Sequence, residues 1–221
     1  YWELARDYPD LWSAIEDLVL DPQGVLHREP ERLLLDDLRE VARAASILVL
    51  VGQGVHRLSE IGARLAVPAT SLSRPLARLV ELGIVRRDVP FGSPARDVKR
   101  SLYRIDDPLA DFIARFVEPN RSRLAAGARA AVRAEIERSW PLHLGGWWER
   151  LARESVPSAR VAGRSWHTAA AWWGRGTDGR TLEIDIVTTA VGDDSSALVA
   201  EAKLTCTARE AAGDRVATDE R

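Results

Sequence analysis

At Gly83 the hydrophobic period of this chain changes, and that change limits what its first half can fold into. Before it, Leu72, Leu76, Leu79 and Leu82 recur every three or four residues, the spacing of one buried helical face. After it, Ile84-Val85-Arg86-Arg87-Asp88-Val89 reads as a strand, Pro90-Phe91-Gly92-Ser93-Pro94 as a turn-rich tip, and Lys99 to Ile105 as a returning strand. Upstream, a helix is expected from about Pro30 to Val51, then a short one from Ser59 to Leu65, stopped by Val67-Pro68. The next starts at Thr70 or Ser71, either of which can cap it, and ends at Gly83. Helix, helix, helix, hairpin is the order of a winged helix-turn-helix.

With the leucines buried, Ser71, Ser73, Arg74 and Arg78 fall on or near the outer face of the second helix of that motif. There they suit phosphate and base-edge hydrogen bonds in a major groove. Arg86, Arg87, Arg96, Lys99 and Arg100 make the wing basic, able to reach the backbone or the minor groove. Charge supports a polyanion partner by its distribution, since the net charge is only −2. Residues 1–40 hold eleven acids against four Arg, whereas residues 70–104 hold eight basic residues against three acids. Double-stranded DNA is the expected partner, and a winged helix used only for protein packing is the alternative. Ile47 to Val51 is the longest apolar run, against the roughly 20 residues of a membrane span, so a cytoplasmic protein without a membrane partner is expected. One cysteine, Cys206, excludes an internal disulfide framework.

Beyond Asp106-Asp107-Pro108 a helix is expected from Leu109 to Val117, and an Ala- and Arg-rich helical linker over 119–139. Six of the eight Trp then fall between Trp140 and Trp173, ahead of β-like segments. Strand alternation places Leu182, Ile184 and Ile186 on one face of a hairpin, with Glu183 and Asp185 on the other. With a turn around Gly192-Asp193-Asp194, Asp185 lies across from Glu201, and Lys203 shares the face of Glu201. Two adjacent carboxylates repel unless a cation sits between them. A divalent metal held by Asp185 and Glu201, with Lys203 beside a metal-bound water, is a kit for phosphodiester hydrolysis. A solvated hairpin face is the plain alternative. Lys203 favours the first, because 29 of the 31 basic residues are Arg and only Lys offers a compact ammonium.

Several blocks, in order and spacing, resemble one family: Tyr1-Trp2-Glu3-Leu4, Leu58-Ser59-Glu60-Ile61, Ser71-Leu72-Ser73-Arg74, Val89-Pro90-Phe91 and Tyr103 to Pro108. Arg115 to Ser122, Glu183-Ile184-Asp185-Ile186-Val187 and Glu201-Ala202-Lys203 continue the likeness. The chain is similar to the C-terminal part of the archaeal-type ATP-binding proteins, AAA-superfamily ATPases also found in bacteria. That resemblance implies an α+β chain in four parts. Residues 1–35 would be the remnant of an ATPase helical lid, 36–118 a winged helix, 119–139 a helical linker, and 140–221 a PD-(D/E)XK nuclease-like α/β domain. It also implies Asp185 as the metal-binding Asp, Glu201 as the second acid, Lys203 as the catalytic Lys and Glu149 as the helical Glu completing the site. Mg²⁺ or Mn²⁺ would be the cofactor, while ATP and homo-oligomer contacts would belong to an ATPase domain preceding Tyr1. The lack of any Met agrees with Tyr1 not being a translational start. Residues 204–221 show no clear closing helix and strand, so an incomplete nuclease-like core is expected there. A winged-helix regulator whose C-terminal domain serves only assembly is the non-enzymatic alternative.

Overall fold

The computed structural model describes residues 1–35 and 41–204, so Cys206 and the closing segment from 205 onward lie outside the described residues. Helices α1 (Trp2–Ala5) and α2 (Leu11–Ile15) open the chain, α2 running on as a π-helical turn Glu16–Leu20. Asp10 caps α2, its carboxylate accepting from Ser13 N at 2.9 Å. Helices α3 (Glu29–Leu35) and α4 (Val41–Gly52) follow where one helix over 30–51 is expected, with residues 36–40 outside the described residues.

The motif expected around Gly83 is present as α5 (Leu58–Arg64), a 3₁₀ turn Ala69–Leu72, α6 (Ser73–Glu81), β1 (Val85–Asp88) and β2 (Leu102–Ile105). Neither Thr70 nor Ser71 caps α6: the 3₁₀ turn comes first, and the Ser71 hydroxyl donates to Pro68 O at 2.7 Å. Gly83 ends the helix with φ +70°, a backbone state that favours glycine. Gly62 lets α5 approach the turn, since a Cβ there would stand 3.0 Å from Val67 O. Ala44, Ile47, Leu48 and Val51 of α4 pack with Ile61, Leu72, Leu76, Leu79, Val85 and Ile105 in one core.

Helix α7 (Pro108–Phe112), capped by Asp107 and continuing as a π-helical turn Ile113–Val117, joins two cores by its two faces. Ala110 and Ala114 face the winged helix. Phe112, Ile113, Phe116 and Val117 face a second core with Ile15, Val19, Leu20 and Leu26. Helix α8 (Arg121–Ala125) supplies Leu124 to that core, and the 27-residue α9 (Arg129–Ser155) supplies Val132 and Ile136. Residues 119–139 are therefore not a free linker. Leu124, Val132 and Ile136 are buried against the N-terminal segment, and the boundary expected at 139/140 falls inside α9, which runs through Pro141. Arg133 pairs with Glu16 at 2.9 Å, and Arg129 and Arg121 pair with Asp21 and Glu31. Part of the acidic flank is thus neutralised within the fold.

A three-stranded antiparallel sheet ends the described chain, in the order β3 (Ala170–Arg175), β4 (Thr181–Ala190), β5 (Asp193–Ala200). Ala152 and Val156, at the end of α9, pack with Trp166, Ile186 and Ala190 over it. The alternation expected along β4 breaks, with Ile186, Val187 and Thr188 all buried in succession. Both faces of the strand are covered there, and the register is irregular just before it. Ala170 pairs with Val187 and Trp172 with Ile184, so β4 carries one extra residue at Asp185–Ile186, a β-bulge.

Candidate functional site

Burial of Leu72, Leu76 and Leu79 leaves Ser71, Ser73 and Arg74 exposed on the outer side of α6 and its leading turn. Arg78 is half-buried and donates to Glu81 Oε2 at 3.0 Å. These four residues share one surface, and the exposed Arg64 of α5 stands on the adjoining helix.

The wing behaves differently from the expectation of a free basic hairpin. Its tip is fastened to β3: Phe91 N donates to Ala171 O at 2.8 Å, and Trp173 Nε1 donates to Arg100 O at 3.0 Å. Arg100 itself turns inward, donating to Trp173 O at 2.7 Å and Ser93 Oγ at 3.0 Å. Arg86 is engaged by Asp88 at 3.1 Å and Asp106 at 3.2 Å. Arg87 points into a cleft between the wing and the C-terminal part. Arg86 and Arg100 are thus occupied inside the molecule, by two acids and a sheet edge, and Arg87 is turned away from the outer surface into the cleft. Arg96 and Lys99 remain exposed. Nothing local in the sequence marked this docking. The Trp172-Trp173 pair in the Trp-rich stretch was its one trace.

The acidic constellation forms in part. The β4–β5 ladder ends at Ile186 and Ala200, so Asp185 and Glu201 are the next residues in that register. Glu201 and Lys203 lie beyond the end of β5 rather than within a strand. The reason is local. Arg153 Nη1 takes Asp185 O at 2.9 Å, and the Asp185 carboxylate accepts from Ala202 N at 2.9 Å, so side chains replace the ladder. Lys203 Nζ sits 2.8 Å from Glu201 Oε2 and holds that carboxyl below its ordinary range, while Glu201 raises the ammonium. On α9, burial first and the Asp185 charge second raise the Glu149 carboxyl. Among the described residues, no group of three or more His, Cys, Asp or Glu side chains is placed to hold a metal ion.

The cleft has a volume of about 290 Å³. Its walls are β1 and β2 of the wing, the last turns of α9, and β3 with Glu183 of β4. Glu149 lines it, with Arg87, Arg104 and Arg153 contributing guanidinium groups. A smaller hollow behind it contains two histidines that the sequence did not single out as a site, His56 and His143, beside Asp111 and Arg115.

A family model described as "IclR helix-turn-helix domain" matches residues 40–89, and one described as "Archaea bacterial proteins of unknown function" matches residues 113–213. The first supports a DNA-binding helix-turn-helix over α4 to β1. The second spans the long helix and the sheet and carries no assigned activity. Neither curated proteins nor solved structures provide a match. Among the described residues no helix is long and apolar enough to cross a membrane.

Proposed function

We propose that this chain binds double-stranded DNA by laying the outer face of α6 in the major groove. Arg74 with Ser71 and Ser73 would reach bases and phosphates, while Arg96 and Lys99 of the wing contact the backbone. The observation that carries this reading is the division of α6 and its leading turn, three leucines sealed in the core and a hydroxyl- and guanidinium-bearing face left to solvent. Fluorescence anisotropy on a labelled duplex tests it. Affinity is expected to fall steeply with added salt, and Arg74→Ala to weaken binding by about tenfold. Lys99→Ala is expected to reduce the salt slope by about one. Binding that ignores salt, or no binding at all, would leave the winged helix as a packing module.

A second reading concerns the C-terminal part: metal-dependent phosphodiester hydrolysis in a PD-(D/E)XK-like module of an AAA-type ATP-binding protein. Its support is the bulge at Asp185, a device that re-aims side chains next to active sites, together with the electrostatic coupling of Asp185, Glu149 and Lys203. Asp185 and Glu201 supply hard oxygen donors of the number that Mg²⁺ commonly takes, and the cation would polarise a water and a phosphoryl oxygen. Lys203, now paired with Glu201, would hold that carboxylate in place. The ATPase parent, with its ATP and its homo-oligomer contacts, rests on the sequence resemblance. Plasmid cleavage in Mg²⁺ or Mn²⁺ is expected for the parent protein and lost in Asp185→Ala and Lys203→Ala. Equal cleavage by all three would point to a contaminant and favour an assembly role.

A further inference from the structure

The Arg87 side chain poses a problem that its own protein does not solve. Its Nε and Nη2 atoms are buried, and no protein group among the described residues accepts from either. These two N–H groups form one edge of the guanidinium, the edge that takes two oxygens of a single oxyanion side by side. Arginine stays charged in proteins, so the edge cannot be neutralised by losing a proton. Leaving it without an acceptor is costly.

The charges around it are unevenly spent. Asp88 is held by Arg86 at 3.1 Å and by Arg104 at 3.4 Å, and Glu154 by Arg150 at 2.6 Å. Those acids are therefore committed elsewhere and do not serve Arg87. Glu149 and Glu183 also line the cleft and oppose an anion near them. Glu149 is held partly in check by Arg153, whose Nη1 is fixed on Asp185 O at 2.9 Å. Five arginines line the opening; Arg86 and Arg150 are taken up by acids, while Arg87 on β1 is joined by Arg104 on β2 and Arg153 on α9, each held on one side by Asp88 or Asp185 O. A carboxylate has two oxygens for such a set, and a terminal phosphate has three.

Size points the same way. A water takes about 30 Å³ of liquid, so a cleft of about 290 Å³ has room for a phosphate together with a group attached to it. Trp173 closes one wall. We propose that this cleft is a binding site for a terminal phosphate, with the side-on edge of Arg87 as its anchor and Arg104 and Arg153 completing the cradle. The phosphate has two possible sources, a free phosphorylated small molecule or the 5′ end of a nucleic-acid strand. Because the walls belong to both the wing and the C-terminal part, occupancy would also brace one against the other. The site does not depend on the α6 surface and stands or falls apart from it.

Thermal shift and calorimetry on the full 221-residue chain test it with inorganic phosphate, adenosine monophosphate, and a single-stranded oligonucleotide with and without a 5′-phosphate. At least one phosphate-bearing probe is expected to bind saturably and raise the melting temperature. Binding of phosphate or the mononucleotide assigns the free source, and binding of the phosphorylated oligonucleotide alone assigns the strand end. Arg87→Met is expected to abolish the gain while melting no lower than the parent without ligand, because it removes an unpartnered buried charge. Arg87→Lys keeps the charge but lacks the fork, and is expected to bind about tenfold more weakly. Arg74→Ala is expected to keep full phosphate binding, which separates this site from the DNA surface. The proposal is overturned by no saturable binding, by Arg87→Met binding as the parent does, or by acetate stabilising as well as phosphate.

Discussion

Acidification from pH 7 to pH 4 is expected to remove up to about 3 kcal/mol of folding stability through His143 alone. His143 is only 6% exposed, on the face of α9 turned towards Phe112, Phe116 and Trp140, with the Phe116 and Trp140 rings 5.2 Å away. Burial first and the Arg115 charge second push its pKa down to about 4 from an ordinary value of 6.5. The Asp111 carboxylate 3.8 Å from Nδ1 does not offset them, and Trp147 Nε1 already donates to it at 3.1 Å. The folded state thus keeps the imidazole neutral while the unfolded chain binds a proton below pH 6.5. Stability is whole above that value and falls as the pH drops through the window down to about 4.

His56 acts in the same direction, pushed down to about 4 by burial and Arg104, though its partial exposure makes its share smaller. Asp111, raised chiefly by burial, acts the other way, since its folded form takes up a proton more readily. Urea unfolding at a series of pH values isolates His143 when the parent is compared with His143→Phe, which suits the aromatic surroundings. The variant is expected to have a flatter profile between pH 6.5 and 4. Parallel profiles would show that His143 is not held neutral by its burial.

The winged helix was the most legible part of the chain because its signals are local. Leu72, Leu76 and Leu79 stand at helical spacing and are fully buried, and Gly83 ends the helix where its composition says it should. Long-range pairing was invisible. Val132 and Ile136, four residues apart in a polar Ala- and Arg-rich stretch, are an apolar stripe just wide enough for a second core, yet they read as linker. The boundary expected at 139/140 sits next to Pro141, but α9 is anchored on both sides of that proline by Ile136 and His143, and packing outweighs the roughly 3 kcal/mol cost of an internal proline. The facing of Asp185 and Glu201 followed from counting residues back from the turn, but the β4–β5 ladder stops one pair short of them, at Ile186 and Ala200. The bulge beside them could not be counted, because it exists only relative to β3. Arg86 and Arg87 read as DNA contacts because charge in a sequence carries no direction. Arg86 is claimed by Asp88 and Asp106, and whether Arg87 meets solvent or the C-terminal part is decided by elements more than 60 residues away.

Trp173→Ala is expected to cost about 3–5 kcal/mol and to release the wing. Trp173 is 9% exposed, and it joins wing to sheet in three ways, two of them through its indole. Its ring fills the space between them, its Nε1–H donates to Arg100 O at 3.0 Å, and its own carbonyl accepts from Arg100 Nη2 at 2.7 Å. The Arg100 bond to the residue 173 carbonyl and the neighbouring bond from Phe91 N to Ala171 O both end on backbone and are not removed by the substitution itself, but lose the packing that shields them from water. Trp173→Phe separates the contributions, keeping an aromatic ring while removing the N–H, and is expected to cost about 1 kcal/mol from the lost hydrogen bond. Urea midpoints for the two variants give these differences directly. A released wing also frees the Arg100 guanidinium, so Trp173→Ala is expected to steepen the salt dependence of DNA binding by about one ion equivalent even as the fold weakens. Stability and electrostatic reach should therefore change in opposite senses in one variant, a combination that damage to the winged-helix core would not produce. A Trp173→Ala protein within about 1 kcal/mol of the parent, with an unchanged salt slope, would mean that the wing is held by the Phe91 and Arg100 bonds to the β3 backbone alone.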